Sequence, residues 1–341
     1  MAVRIVSKNN TARADGASQY QARLAEALRA AGVSVYWDTL DAWKSGRAKG
    51  DPNQDFIIVA AEDAGQIQAE YAVIAMEYTC WAEHGLRCRT KEHLALGRMQ
   101  ADAATRKRTL WVACSDWAAH HCRLHAGVRA DRIIYGGVDI DTFIPSERQR
   151  TRGAKVPVVL HHAIHANKGS HLLAGLEKAL KGAFELRQLH CMPGEVSEAM
   201  RQADIWLSLS ASSGLPTTVL EAMACGLIVV GTNVGALWPH ACGTPLRDAP
   251  FLGWLNAEAG AVVFDWQHRD YPDVVAAHVR SAWHHRKELG NGREYARRWW
   301  SRETFGRKWL EALWLAGERF GVAGAPPAPQ VVDRGRVEAR A

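Results

Sequence analysis

The sequence predicts an α/β fold built on two parallel sheets, and two observations carry this prediction. Short apolar runs alternate with segments whose apolar residues recur every three or four positions, which is typical of strands followed by packed helices. The alternation stops once near the middle of the chain and then restarts, as expected for two successive domains. A chain of 341 residues is long enough for two domains that each bury a core.

The first α/β unit is a strand at residues 3–6, a polar loop at residues 8–18 and a helix with one apolar face. Gly32 is expected to end that helix. Ser115 and Asp116 predict the start of another helix, because serine accepts hydrogen bonds from free N–H groups there. Further strands are expected at residues 33–37, 56–60, 72–76 and 110–114.

The domain boundary is expected before a polar, basic segment at residues 146–155, which has no apolar period. This gives an N-terminal domain at residues 1–140 and a second domain at residues 141–298. A C-terminal helix is expected over residues 299–320, and residues 321–341 are expected to form a flexible tail. In the second domain, strands are predicted at residues 156–161, 184–190, 204–210, 227–230 and 261–264, and helices at residues 170–181, 195–203 and 217–225.

Composition excludes several classes of protein. Apolar residues make up 48% and charged residues 23%, which excludes disorder, collagen and coiled coil as the main state. Neither an apolar stretch long enough to span a bilayer nor a signal sequence is recognisable, so we expect a soluble cytoplasmic protein. Seven cysteines without paired spacing predict reduced thiols and no zinc finger. The net charge of +6 favours an anionic ligand, a membrane surface or nucleic acid without choosing among them.

The most informative segment is residues 208–235, SLSASSGLPTTVLEAMACGLIVVGTNVG. Here a strand ends in small polar residues, Gly214 allows a close backbone approach, and a helix can begin at Pro216. Free N–H groups at this helix start, together with the helix dipole, predict an anion site at the carboxyl edge of the sheet. Glu221 lies about one turn inside the helix, so its carboxylate can reach back over that end.

Within it, residues 214–226, GLPTTVLEAMACG, resemble the signature of the family-4 retaining glycosyltransferases, whose fold is called GT-B. CSDW at residues 114–117, GGVDIDTFIP at residues 136–145 and NKG at residues 167–169 support the resemblance. It implies two Rossmann-like domains, with the acceptor in the first and the nucleotide-sugar donor in the second. It also implies a C-terminal helix that crosses back onto the N-terminal domain.

The resemblance assigns roles to individual residues. Lys168 matches the basic residue that binds the donor diphosphate, and Glu221 matches the carboxylate that contacts the ribose. A lysine and helix amides would stabilise the departing diphosphate without a metal, so neither a cofactor nor a metal ligand is expected. Lys168, Glu221 and Glu77 are the candidate catalytic residues. The expected donor site comprises Gly16, His162, His165, Lys168, Ser213, Gly214, Leu215, Pro216, Thr217, Thr218 and Glu221.

Two donor-side positions depart from the family pattern. Ser213 stands where the family has the first glutamate of its Glu-x7-Glu pair, which helps to hold the transferred sugar. Ala163 replaces the arginine that accompanies the lysine, so one phosphate contact is missing. His162 and His165 flank that position and could substitute if their pKa values are raised beside phosphate.

The remaining histidines give weaker signals. The family's acceptor-domain histidine has no clean match, and Glu77, at a strand end, and His84 are the nearest polar candidates. A metal site at His161, His162 and His165 is disfavoured because no other ligand type lies near them in sequence. The pairs His120 with His121 and His284 with His285 are interpreted as surface residues of helices.

The function predicted from these residues is transfer of a sugar, with retention, from a nucleotide-diphosphate sugar to a saccharide or lipid-linked acceptor, as in polysaccharide biosynthesis. One alternative is a degenerate GT-B protein that binds a nucleotide sugar or glycan without catalysis. A nucleic-acid-binding protein is the last-ranked alternative, and we expect no nucleic-acid partner. The basic, tryptophan-rich segment at residues 299–314 is expected to pack on the N-terminal domain, with peripheral contact with anionic lipid at the inner membrane face as the other interpretation.

Overall fold

A computed structural model describes residues 2–8, 16–242, 244–245 and 253–327. The first sheet is parallel, with the strand order β2-β1-β3-β4-β5-β6. Its strands are β1 (Ala2–Ser7), β2 (Ser34–Thr39), β3 (Asp55–Ala60), β4 (Ala72–Glu77), β5 (Thr109–Ala113) and β6 (Arg132–Ile133). The helices of this part are α1 (Gly16–Ala30), α2 (Leu40–Lys44), α3 (Trp81–Cys88), α4 (Lys91–Ala103) and α5 (Asp116–Ala126).

The second sheet has the order β11-β12-β13-β10-β9-β7-β8 and is parallel except at β11 and β12. Its strands are β7 (Val158–His161), β8 (Glu185–Gln188), β9 (Ile205–Ser208), β10 (Ile228–Thr232), β11 (Thr244–Pro245), β12 (Gly253–Asn256) and β13 (Ala261–Phe264). The remaining helices are α6 (Glu147–Thr151), α7 (Leu173–Leu180), α8 (Val196–Arg201), α9 (Thr217–Ala224), α10 (Pro272–His284), α11 (Gly292–Trp300) and α12 (Arg302–Phe320).

The two parallel sheets confirm the predicted α/β class and its restart near the middle of the chain. Central strands such as β4 are buried along their whole length, as in parallel sheets with helices on both faces. The boundary predicted between residues 140 and 141 falls in the segment that joins β6 to β7. The antiparallel strands β11 and β12 lie in a stretch that sequence periodicity left irregular.

Two helix ends agree with the predictions made from local sequence. The Ser115 hydroxyl accepts a hydrogen bond from the Ala118 N–H at 3.1 Å, and Gly32 follows α1 with φ of +79°. The predicted polar loop at residues 8–18 is too long, because α1 already begins at Gly16. Polar residues in a first helical turn carry no apolar period, so periodicity places the start too late.

The C-terminal helix returns to the first domain, as the resemblance implied. Helix α11 packs on α9 of the second domain, whereas α12 packs on α1 of the first. The Trp309 indole is fully buried and donates to the Tyr20 hydroxyl at 3.2 Å, and that hydroxyl donates to the Ile134 carbonyl at 2.7 Å. This burial supports the packing interpretation of the tryptophan-rich segment. Of the predicted tail, residues 328–341 lie outside the described residues.

Across the described ranges, the helices include none that combines the length and apolar character needed to cross a bilayer.

Replacing Trp309 by alanine should lower the free energy of unfolding by about 3–5 kcal/mol, because it leaves a large cavity and removes the donor to Tyr20. Denaturant unfolding followed by circular dichroism measures this loss. Trp314→Ala on the same helix is the matched control, and its half-buried side chain predicts a clearly smaller loss. Equal losses would contradict the role given to Trp309.

Candidate active site

The two domains meet where the loop after β9 reaches the carboxyl edge of the first sheet. A Cβ atom at Gly214 would lie 1.6 Å from the Tyr78 carbonyl oxygen, so only glycine fits there. The Ser115 hydroxyl donates to the Gly214 carbonyl at 2.5 Å and fixes the contact. The close approach predicted for Gly214 is therefore present, and the neighbour it approaches is the backbone of the first domain.

The turn at residues 166–169 brings Lys168 to the same edge. Both polar atoms of the Asn167 side chain bind the backbone of Ser212, each at 3.2 Å. Gly169 has φ of +87°, and a Cβ there would lie 2.7 Å from that of Leu209. The turn is thus fastened to the loop after β9, which holds the backbone of Lys168 in place.

The Lys168 side chain is half-buried, and no carboxylate neutralises its ammonium in the part of the chain that the structure describes. Its Nζ donates to the Ser210 hydroxyl at 3.1 Å. Burial lowers the pKa of Lys168 to about 8, and the Cys88 thiol opposes this only in part. A cation held this way beside a neutral partner gains most from an anionic ligand.

His162, beside Lys168, does not supply the missing positive charge in the free protein. Burial lowers the pKa of His162, and Lys168 and His165 lower it further by repulsion. The imidazole is therefore neutral at neutral pH in the free protein, and a charged His162 beside a bound phosphate stays a prediction. His165 is exposed, and its carbonyl accepts from the Lys168 N–H at 2.8 Å.

Glu221 has a partner that sequence reasoning missed. Arg23 of α1 forms an ion pair with its carboxylate, and both side chains are largely buried. The other guanidinium nitrogen donates to the Gly137 carbonyl at 2.8 Å. The carboxylate therefore faces the first domain instead of lying free over the start of α9. No local signal marks Arg23, since a basic residue on a helix is ordinary.

The remaining donor-side candidates lie around the start of α9, which begins at Thr217 directly after Pro216. Ser213 is half-buried, and its carbonyl would lie 2.7 Å from a Cβ at Gly235. Leu215 packs near Gly136, Thr217 is buried, and Thr218 is half-buried. Gly16 is the first residue of α1, and the loop before it, residues 9–15, lies outside the described residues.

The structure does not bring Glu77 together with Lys168. The Glu77 side chain is buried beside the thiols of Cys80 and Cys122, and burial raises its pKa to about 8. One carboxyl oxygen, Oε2, has no hydrogen-bond partner among the described residues. Glu77 is therefore a protonated interior group at neutral pH, and its role as a candidate catalytic residue stays a prediction.

His84 is the acceptor-side candidate that faces Lys168. Burial lowers the pKa of His84 to about 4, with repulsion from His93 and Lys168 adding to the shift. Its ring meets that of His93 edge to face at 4.4 Å, and Trp81 stacks on His93 at 5.1 Å. These three rings form an aromatic surface on α3 and α4 beside Lys168.

The pairs interpreted as surface histidines are only partly so. His120 is exposed, but His121 is buried, because α5 packs that face against α3. Among the described residues, His161, His162 and His165 do not converge as metal ligands, whereas His121 lies in a group of three side chains that do.

Comparisons with known proteins agree with this architecture. Residues 162–244, which include Lys168 and Glu221, match the model of a family described as glycosyl transferases group 1. Comparison with curated proteins gives no match.

Solved structures share the whole fold at low sequence identity. Sucrose-phosphate synthase from Thermosynechococcus elongatus is 15% identical with a TM-score of 0.73, over 94% of this chain and 100% of that chain. HepE from Anabaena, in complex with UDP and glucose, is 15% identical with a TM-score of 0.63, over 92% and 99%. The lipopolysaccharide outer core galactosyltransferase WaaB is 10% identical with a TM-score of 0.59, over 92% and 99%. The chain therefore has the GT-B fold.

The Glu77→Gln variant should become more stable relative to the wild type as the pH rises. The unfolded chain ionises this carboxyl near pH 4.5, whereas the folded protein keeps the proton until about 8, so wild-type stability falls between these values. The stability difference, variant minus wild type, should rise by about 3 kcal/mol between roughly pH 5 and pH 8. Denaturant unfolding at both pH values measures it, with the exposed Glu177→Gln as control. A constant difference would place Glu77 in contact with solvent.

Gly214→Ala should open the contact between the domains, because the added methyl cannot coexist with the Tyr78 carbonyl. We expect a lower melting temperature and a larger radius of gyration by small-angle X-ray scattering. Gly194→Ala is the control, since a Cβ there meets no heavy atom within 4 Å. If both variants behave like the wild type, the domains do not touch at Gly214 in solution.

Proposed function

We propose that the protein is a glycosyltransferase that moves a sugar from a nucleotide-diphosphate donor to a hydroxyl of a saccharide or lipid-linked acceptor. The observation that carries this proposal is the half-buried Lys168 ammonium, which has a hydroxyl but no carboxylate beside it among the described residues. It lies at the carboxyl edge of a parallel sheet, where open α/β folds bind ligands. It also lies within the segment that matches the glycosyl transferases group 1 model.

The chemistry needs positive charge where the leaving diphosphate becomes more negative. Lys168 supplies a cation there, and the free N–H groups at the start of α9 supply dipoles. The backbone of Lys168 needs no rearrangement, because the turn at residues 166–169 is fastened to Ser212 in the loop after β9. We propose that these groups make a metal unnecessary for departure of the diphosphate.

We propose retention of configuration by attack on the same face from which the diphosphate leaves, with a donor phosphate oxygen accepting the proton of the acceptor. The positions of the candidate carboxylates support this route. Glu221 is engaged by Arg23, and Glu77 is enclosed, so neither is free to attack the sugar. Membership of the family-4 retaining enzymes is part of the same proposal and rests on the motif at residues 214–226.

UDP-sugars are the first donors to test, because HepE has been solved with UDP, glucose and UDP-glucose. We propose that Ser213 contacts the transferred sugar, as its place before Glu221 implies. On the acceptor side, the aromatic surface of Trp81, His84 and His93 suits the apolar face of a sugar ring.

A cytoplasmic location with peripheral contact at anionic lipid is also proposed. The exposed Arg297 and Arg298 on α11 support the lipid contact.

A second candidate function, binding of a nucleotide sugar without transfer, is favoured by the pairing of Glu221 with Arg23. Ser213 and Ala163 support it too, since each lacks a charged group found in the family. Incubation with a panel of nucleotide sugars separates the two functions. Release of nucleoside diphosphate with time, abolished by Glu221→Ala, supports transfer, whereas binding without release supports the second candidate.

Lys168→Ala should weaken binding of the nucleoside diphosphate by about tenfold or more, because it removes a charge-assisted contact. Ser213→Ala is the matched comparison and should have a smaller effect on a nucleotide that carries no sugar. Calorimetry with UDP, GDP and ADP measures both. Equal losses of affinity in the two variants would show that the phosphates do not bind at Lys168.

Binding should also weaken as the pH rises above about 8, because Lys168 then loses its proton in the free protein. The dissociation constant should rise by up to about tenfold per pH unit until the higher pKa of the complex is reached. Lys168→Arg keeps its charge, so its affinity should stay constant over the same range. Parallel curves for both proteins would contradict the proposed contact.

A further inference from the structure

Behind the interface between the domains, helices α3 and α5 bring two imidazoles to one carboxylate. Glu83 projects from α3, and His121 and His125 project from adjacent turns of α5. The Glu83 Oε2 atom lies 2.9 Å from the His125 Nε2 and 3.8 Å from the His121 Nδ1. One atom from each of the three residues lies within 4.8 Å of the others.

The His121 ring is buried but incompletely bonded. Its Nδ1 has no hydrogen-bond partner among the described residues, and 3.8 Å is too long for a bond to Glu83. The Trp117 ring packs against it at 4.6 Å and holds its orientation. A buried nitrogen aimed at a carboxylate without reaching it is a costly arrangement unless a further atom lies between them.

The second oxygen of Glu83 is already oriented by Arg87, which donates to Oε1. Arg87 also donates to the Ala211 carbonyl of the second domain at 3.0 Å and lies over the Trp266 ring at 4.4 Å. Metal-binding carboxylates commonly have such an outer hydrogen bond, which leaves the other oxygen for the ion. The group of Glu83, His121 and His125 is therefore ordered from outside.

We propose that Glu83 Oε2, His121 Nδ1 and His125 Nε2 bind a divalent transition metal ion of the Zn²⁺ type, with water as a fourth ligand. Zn²⁺ takes imidazole and carboxylate ligands at about 2.0–2.2 Å, which places neighbouring ligand atoms about 3.3 Å apart in a tetrahedron. The three atoms, now within 4.8 Å of one another, would reach this spacing by side-chain rotation. The ion would tie α3 to α5 and hold the carboxylate that Arg87 binds. The proposed metal site does not include Lys168, so the inference does not depend on the proposed transferase activity.

The test is titration of the full chain, first stripped with a chelator, with Zn²⁺ by calorimetry and with Co²⁺ by visible absorption. The wild type should bind one equivalent that is lost in His125→Gln, and the Co²⁺ spectrum should show tetrahedral coordination without thiolate ligands. At about 100 times the dissociation constant, Zn²⁺ should raise the melting temperature by about 5 °C in the wild type and not in the variant.

His285→Gln is the matched control. Its ring lies 3.0 Å from Glu288 on the surface. The variant therefore tests whether any histidine beside a carboxylate is enough to bind Zn²⁺. This variant should keep the full equivalent. His125 is partly exposed and its substitution is tolerable for folding, which circular dichroism checks; Glu83→Gln provides a second variant. Absence of a tight equivalent in the wild type, its retention in both His125→Gln and Glu83→Gln, or thiolate bands with Co²⁺ would each overturn the proposal.

Discussion

The contact between the carboxyl edges of the two sheets is the constraint on which the rest of the structure depends. The backbone of Gly214 lies against the Tyr78 carbonyl, at a distance that no side chain permits. This contact puts the turn that carries Lys168 opposite α3 and sets Glu221 against Arg23. Helix α12 reinforces it by covering α1, the helix that carries Arg23. The candidate site is therefore a product of both domains.

The electrostatics of the interface are uneven in a way that suits an anionic substrate. Glu221 and Glu83 each have an arginine partner in a largely buried setting. Lys168, in contrast, has a serine hydroxyl, and burial depresses its pKa. Keeping a cation partly desolvated costs stability that a bound diphosphate would restore. The protein thus carries an electrostatic cost in the free state at the position where the proposed sugar transfer would develop charge.

The fold and the backbone features of residues 208–235 could be predicted from the sequence because both depend on local pattern. Backbone chemistry alone predicts three of these features: Ser115 caps a helix, Gly32 ends one, and Gly214 allows a close backbone approach. Arg23 and the burial of His121 depend on how distant elements meet, so no local pattern marks them. The burial of Glu77 beside the thiols of Cys80 and Cys122 depends on the same kind of distant contact.

The most direct measurement is an experimental structure of the protein with a bound nucleoside diphosphate. A β-phosphate within hydrogen-bonding distance of the Lys168 Nζ, next to the start of α9, is the predicted result. It would also show whether Glu221 leaves Arg23 to contact the ribose or keeps the ion pair. A nucleotide bound on another surface, with Lys168 still paired to Ser210 alone, would contradict the central claim that this lysine is the diphosphate anchor.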